Sequence, residues 1–484
     1  MQEQAVASFR PSPQQEQLWL AHPDGSVGRS QAAILINGDL AVEALRQAVE
    51  KTVARHEILR TTYQRQTGMR VPLQVVNDEL APVWETVELL EGEDGRLVEV
   101  LRAEREQDID LESGPVLRCV LAALALDRHV LVITLPTVSA DEGSLITFVR
   151  DVALLYGGEA LVEQPLQYAD FSEWQHELLV SDDEVAAAGR AYWSERTDAV
   201  SPPVPFLFTA ERSVARAVRP IPIADGLMRS IDEQSERYGV SSEVFVHAAW
   251  QLLLARVSGV EDVVVGTIMS ERPQAELSTA VGLFARPVPV HASVVAQSSF
   301  AELLDQIARA RTEAGGWQDY LSPSASTALE VGFVAAGALE PLSANGATFS
   351  LEEISTGAEQ FALSLSWSSV TGSQRAQLAY DPAAFEAEHA ERLARNLGRL
   401  LAAAATDPGK SVGELELLDD DDRDQLLRSF NSTAAPVSGA RVDDLLAAAA
   451  QAHPDRAAVV DGRRQPAGSH QRPERRRRLP GDAL

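Results

Sequence analysis

The apolar residues of the chain are patterned most sharply between His129 and Tyr156. Residues 130–135 form an apolar run rich in β-branched side chains, the pattern of a strand covered on both faces. Pro136 ends it, because proline has no N–H to give to a sheet ladder. From Ser144 onward the apolar positions Leu145, Phe148, Val149, Val152 and Leu155 fall at helical spacing. Between strand and helix lies a polar turn, Thr137-Val-Ser-Ala-Asp141-Glu142-Gly143. A loop held between a buried strand and a helix start is a frequent seat of chemistry, yet this one contains no histidine, cysteine or lysine.

The same two periodicities organise the rest of the chain. Residues 32–36 read as a strand, and Asp39 is a candidate N-cap for a helix over 42–55 with Leu45, Val49 and Val53 on one face. Short strands are predicted at 71–76 and 116–124, with a helical segment at 97–106 between them. The 116–124 strand is separated from the 130–135 run only by a short polar step at Asp127-Arg128, which predicts an antiparallel hairpin. Composition then changes: Ser201-Pro-Pro-Val-Pro205 and Pro220-Ile-Pro222 mark a linker. Beyond it come helices at 227–238, closed by Gly239, and at 242–257, the second apolar on nearly every side and so buried. A strand at 263–265, a helix at 300–311, strands at 330–334 and 361–367, and a long helix at 383–405 complete the pattern.

Composition narrows the class. The chain has 484 residues, enough for two or three domains, and is 45% hydrophobic and 23% charged, ordinary for a globular protein. A formal charge of −29 argues against nucleic acid or an anionic membrane as partner. No apolar run approaches the roughly 20 residues that span a bilayer, and the first residues lack the regions of a signal peptide. The lone Cys119 lies in an apolar run and reads as core, so no disulfide framework forms within the chain and a reducing cytoplasm fits. Asp419 to Asp424 is an acidic run read as a solvated linker, not a calcium loop, because it has no turn glycine. No metal site is predicted.

Several ordered motifs resemble the condensation domains of nonribosomal peptide synthetases. These are Ser12-Pro-Gln-Gln15 near the start, Arg55-His56-Glu57-Ile-Leu-Arg60-Thr61, Asp110-Leu-Glu-Ser-Gly-Pro-Val-Leu-Arg118, Gln167-Tyr168-Ala-Asp-Phe-Ser-Glu-Trp174, Ser258-Gly-Val-Glu-Asp262 through Gly266 to Arg272-Pro273, Gly282-Leu-Phe-Ala-Arg286 to His291, and Tyr380-Asp381 to Phe385. The resemblance covers residues 9–430. In that family the polar turn reads HHxxxDG. Aligned on Asp141, the two histidines fall on Pro136 and Thr137 and the glycine on Glu142, so only the aspartate is kept. The heterocyclisation variant, DxxxxDxxS, would keep Asp141 and Ser144 but needs an aspartate at Pro136. The resemblance implies that Arg272 pairs with Asp141 as a structural tie between two lobes, and that Ser144, Gly266 and Arg286 line the tunnel or its floor, Arg286 standing where the family has asparagine and His291 where it has arginine. His56 reads as a structural histidine at a helix end. His129 lies before the central strand and is a weak substitute for the missing base.

The resemblance further implies an α/β (α+β) fold of two chloramphenicol-acetyltransferase-like lobes in a V-shaped pseudo-dimer. Residues 1–175 form the first lobe, 176–225 a crossing helix and linker, and 226–418 the second lobe. Residues 419–441 are a linker, 442–462 resemble the start of an adenylation domain, and 463–484, with four consecutive arginines, read as a frameshifted or disordered tail. Three readings of function follow. A condensation-like domain without peptide-bond-forming activity would be a platform for a carrier protein and a tailoring enzyme such as a hydroxylase or P450, as glycopeptide X-domains are. An active domain would join two carrier-protein-bound aminoacyl thioesters through a non-standard site that relies on positioning, with Glu142 able to replace the missing base only if desolvation raised its pKa. A small-molecule acyltransferase of the same fold is the third. No cofactor is expected to bind directly; the ligand is the phosphopantetheine arm of a carrier protein, and the partners include neighbouring synthetase modules.

Overall fold

The computed structural model describes residues 8–22, 27–89, 94–197, 216–223, 225–269, 272, 274–322, 329–337, 339–356, 361–370, 373–418, 420–433 and 441–454. The chain divides into two compact units, residues 1–419 and 420–484.

The first unit is built on two six-stranded sheets. In the first sheet the strand order is Leu342–Ala344, Ala347–Ser355, Arg29–Gly38, Arg128–Pro136, Arg118–Ala125, Val83–Glu88. All neighbours are antiparallel except the last pair. The apolar run expected at 130–135 is therefore an inner strand, and the strands at 118–125 and 128–136 form the antiparallel hairpin read from the sequence. The helices Val42–Arg55 and Glu142–Tyr156 pack together on one face, and their apolar stripes join Ile34, Ile36, Leu121, Leu131 and Ile133 in one core. Helix Asp94–Glu106 covers the opposite face, over Val120, Val130 and Val132. An inner strand covered on both sides needs apolar residues at successive positions, which is why the run does not alternate.

In the second sheet the order is Arg286–Ser293, Asp262–Met269, Val331–Ala336, Leu363–Val370, Ser373–Tyr380, Ala217–Pro220. Strand Val331–Ala336 runs parallel to both neighbours and the other pairs are antiparallel. Helix Ser242–Ser258 is the centre of its core, with Phe245, Ala249, Trp250 and Leu253 inaccessible to solvent. Its first turn is capped by Ser241, whose hydroxyl accepts from Val244 N, and it ends at Gly259, whose φ of 71° is left-handed, a backbone only glycine adopts without strain. Helices Phe300–Trp317 and Ala387–Thr406 pack beside it.

The topology carries one segment from the second half of the unit into the first sheet. The hairpin Leu342–Ala344 and Ala347–Ser355 leaves the second half and pairs with Arg29–Gly38, completing the first sheet. In the second unit, helix Val442–Ala452 is exposed along its length. The tail from residue 455, including the arginine run and the end of the adenylation-like segment, lies outside the described residues.

Candidate functional site

The polar turn is not a surface loop. Thr137, Val138, Ser139, Ala140 and Asp141 are all within 1% of complete burial. Most buried backbone and hydroxyl groups have hydrogen-bond partners, and apart from the Thr137 hydroxyl the chain supplies them here from distant segments. Gln15 Nε2 donates to Val138 O at 2.8 Å and to Tyr63 Oη at 3.0 Å. Tyr63 Oη in turn lies 3.2 Å from Val138 O and 3.4 Å from Ser139 Oγ. Ser30 Oγ donates to Ala140 O at 2.7 Å, and Thr137 N to Gly28 O at 3.0 Å. Burial pushes the Tyr63 phenol well above its ordinary pKa, so it stays a neutral hydrogen-bonding group. Gln15 belongs to the Ser12-Pro-Gln-Gln15 segment, and this is the role it plays.

Asp141 is the N-cap of helix Glu142–Tyr156 and the hub of the site. Its Oδ1 accepts from Ser144 N at 2.8 Å, Ser144 Oγ at 2.6 Å and Arg272 Nη2 at 3.1 Å. Its Oδ2 accepts from the backbone N–H groups of Phe284 and Ala285 at 3.0 and 2.9 Å. Ser144 Oγ also accepts from Gly282 N at 2.9 Å and Arg272 Nη2 at 2.8 Å, while Asp141 N donates to Gly282 O at 3.1 Å. The guanidinium of Arg272 lies over the Phe284 ring at 4.6 Å. A carboxylate with this many donors has no open lone pair with which to receive a substrate proton. Gly282 is required here: a Cβ on it would lie 1.9 Å from the Tyr168 ring, whose hydroxyl bonds Ser12 Oγ and Leu283 O at 2.7 Å each.

The other residues singled out in the sequence are distributed around this hub. Pro136 is the last residue of its strand, opposite Arg29. The Thr137 hydroxyl is wholly buried and makes no hydrogen bond. Glu142, in the first helical turn, accepts from Gly337 N, at the exit of strand Val331–Ala336. Gly266 faces Gly332 across two parallel strands, and both are covered by the ring of Phe361: a Cβ would lie 2.5 Å from it at Gly266 and 2.0 Å at Gly332. The close neighbour of Gly266 is thus an aromatic ring, a contact with no signal in the local sequence. Arg286 is buried and turned to another segment, Nη1 donating to Gln318 O at 2.8 Å and Nη2 to Asp319 at 3.4 Å; burial lowers its pKa, against Asp319 and Tyr168.

The histidines take other places. His56 Nε2 is 2.8 Å from Asp151 Oδ2, which also lies 3.2 Å from Arg55 Nε. His247 is fully buried, stacked on Phe333 at 4.4 Å, with Arg311 3.2 Å from its Nδ1. His291 is half-exposed beside Asp262. His129 is the second residue of the strand that Pro136 ends; at about 3.4 Å per residue the two lie roughly 24 Å apart, which removes His129 as a base for the turn. Among the described residues no group of three or more His, Cys, Asp or Glu could hold a metal ion, and no helix is long and apolar enough to cross a membrane.

Two mixed sheets, each carrying helices and joined through a buried carboxylate–guanidinium hub, define a chloramphenicol-acetyltransferase-like fold. The condensation-domain family model matches residues 11–321, and the chain belongs to that family. Chondramide synthase cmdD of Chondromyces crocatus is 28% identical over 456 residues, covering 87% of this chain and 11% of the synthase; the chain thus corresponds to a small part of that relative. The X-domain solved as a complex with OxyB from teicoplanin biosynthesis is 26% identical, with a TM-score of 0.68 over 86% of this chain and 97% of that one. The condensation domain of the monacolin K polyketide synthase MokA has a TM-score of 0.75 at 18% identity over 84% of this chain and 99% of that one, a likeness of fold.

Proposed function

We propose that the chain is a condensation-like domain of a nonribosomal peptide synthetase that does not form peptide bonds and acts as a platform, binding a carrier protein and a tailoring enzyme such as an oxygenase. The observation that carries this reading is the state of the turn. The position corresponding to the family's second histidine holds Thr137, sealed from solvent, and a threonine hydroxyl does not ionise near neutrality. General acid–base help contributes about 10²–10⁴-fold in such reactions, and no group placed at the turn can provide it: Asp141 is saturated with donors, and the Glu142 carboxylate is engaged with Gly337 N–H. The likeness to an X-domain whose structure holds OxyB supports a recruiting role. The ligand on this reading is an aminoacyl or peptidyl group on the phosphopantetheine arm of a carrier protein, and the domain works in the cytoplasm beside other modules of its synthetase.

The test mixes the purified protein with two carrier proteins, each loaded with an aminoacyl thioester, and measures dipeptidyl product by mass spectrometry. We expect none above the no-enzyme control, together with retention of loaded carrier protein or of a tailoring oxygenase on the immobilised domain. Dipeptide formation that disappears in Glu142→Gln would overturn the platform and establish the active reading, with Glu142 as base.

A further inference from the structure

Glu142 stands where the resemblance places a glycine, and its side chain spans two halves of the unit. It occupies the first turn of helix Glu142–Tyr156, which follows the inner strand of the first sheet. Its carboxylate accepts the N–H of Gly337, the residue after strand Val331–Ala336, an inner strand of the second sheet. Ile146, one helical turn on and on the same helix face, packs at the same point. A Cβ on Gly337 would be 3.4 Å from Ile146 Cδ1 and 3.5 Å from Glu142 Oε1, so the chain at Gly337 sits directly on the helix. This contact lies where the buried turn reaches the surface: residues 137–141 are inaccessible, whereas Glu142 and Gly143 are half-buried and Gly337 is exposed. A carboxylate at the first turn is also favoured by the helix dipole, which holds it in place. A glycine at 142 would have no side chain with which to make the bridge.

We infer that Glu142 is a strap: it fastens the exit of the second sheet's inner strand onto the first turn of the helix and so excludes a thiol-terminated carrier arm from the Thr137 turn. The inference deepens the platform reading and rests on it, since it explains how an arm could be held by this domain without reaching the turn.

The strap is tested by cysteine accessibility. The native Cys119 is fully buried and burial raises its thiol pKa well above the ordinary value, so it is a silent background. Thr137→Cys is made alone and with Glu142→Ala or Glu142→Gln, and each protein is treated with the 2-pyridyl disulfide of pantetheine. The introduced thiolate attacks the reagent disulfide, a mixed disulfide with pantetheine forms, and pyridine-2-thione leaves and is counted by absorbance. Labelling should be slow in the single variant and at least about tenfold faster with Glu142→Ala, the change in opening that loss of one charge-assisted hydrogen bond brings. Glu142→Gln keeps an acceptor oxygen for Gly337 N–H and should remain slow. Equal rates in the single and Glu142→Ala proteins overturn the strap. Should the cysteine variants not fold, hydrogen exchange of the Gly337 amide in Glu142→Ala alone decides: faster exchange supports the strap, unchanged protection overturns it. Failure here leaves the platform standing, whereas dipeptide made by the unmodified protein removes the platform whatever the labelling rates.

Discussion

Replacing Asp141 by alanine should be among the most damaging single changes in the chain, and the geometry says why it exceeds the loss of its partner. Without the carboxylate, the Arg272 guanidinium, with a side chain 9% exposed, loses its ion-pair partner; breaking such a pair costs about 3–5 kcal/mol. The helix also loses its N-cap, about 1 kcal/mol, and the N–H groups of Phe284 and Ala285 lose their acceptor at about 1–3 kcal/mol each. These losses share one carboxylate and do not add; we expect at least about 3 kcal/mol, the lower end of the ion-pair loss alone. Arg272→Met removes one donor of five, and the four that remain still solvate the carboxylate, so about 1–3 kcal/mol is expected. Urea unfolding followed by tryptophan emission measures both, with the shift in midpoint read at constant slope. The Asp141→Ala/Arg272→Met double variant should be less destabilised than the sum of the singles. An Asp141→Ala protein within about 1 kcal/mol of the parent, or an Arg272→Met protein as damaged as Asp141→Ala, would falsify the hub as described.

Thr137→His, which restores the family's residue, should not create condensation activity, because the position is sealed; it should instead cost about 1–3 kcal/mol through overpacking, visible as a lower melting temperature, and dipeptide formation by this variant would count against the burial of the turn. Gly282→Ala, whose Cβ would lie 1.9 Å from the Tyr168 ring, should destabilise by at least about 1–3 kcal/mol; a melting temperature equal to the parent's contradicts the close approach. His247 gives a pH signature. Burial first, and then Arg311 3.2 Å away, hold its pKa well below the ordinary value; Arg311 is itself paired with Glu243, and Gln251 and Thr267 are the neutral polar groups beside the ring. The unfolded chain takes up a proton below about pH 6.5 that the folded His247 refuses. Stability is therefore full above that pH and falls below it, by up to about 1.4 kcal/mol per pH unit. His247→Gln should flatten that part of the profile, and an unchanged slope refutes the assignment.

Local elements are legible wherever one period dominates. The helix predicted over 42–55 has its observed ends there, and the 130–135 run lies inside the observed Arg128–Pro136. Helix Glu142–Tyr156 begins two residues before Ser144, where its apolar spacing starts, because Asp141 caps it. What does not follow from pattern is partnership across distance. Residues 347–351 alternate, with Ala347, Phe349 and Leu351 inward, but nothing in that alternation says the strand joins a sheet begun roughly three hundred residues earlier. The burial of the turn at 137–141 has no local signal either: the groups that satisfy its backbone and the Ser139 and Asp141 side chains include Gln15, Tyr63, Ser30 and Gly282, remote in sequence. Asp141 and Arg272, 131 residues apart, can be matched only through the resemblance, and the Phe361 ring over Gly266 and the Glu142–Gly337 contact have no sequence signal beyond glycines in strands.

The borrowed hairpin has a practical meaning for anyone cutting this protein apart. On the side away from Arg128–Pro136, the backbone of strand Arg29–Gly38 is paired by Ala347–Ser355. A fragment ending at residue 197 would expose a ten-residue strand edge ready to pair with another copy. Such a truncation should precipitate or form intermolecular sheet, and co-expressing residues 216–419 should keep it dispersed. Residues 1–419 form one compact unit, so cuts made to isolate either sheet belong outside that range.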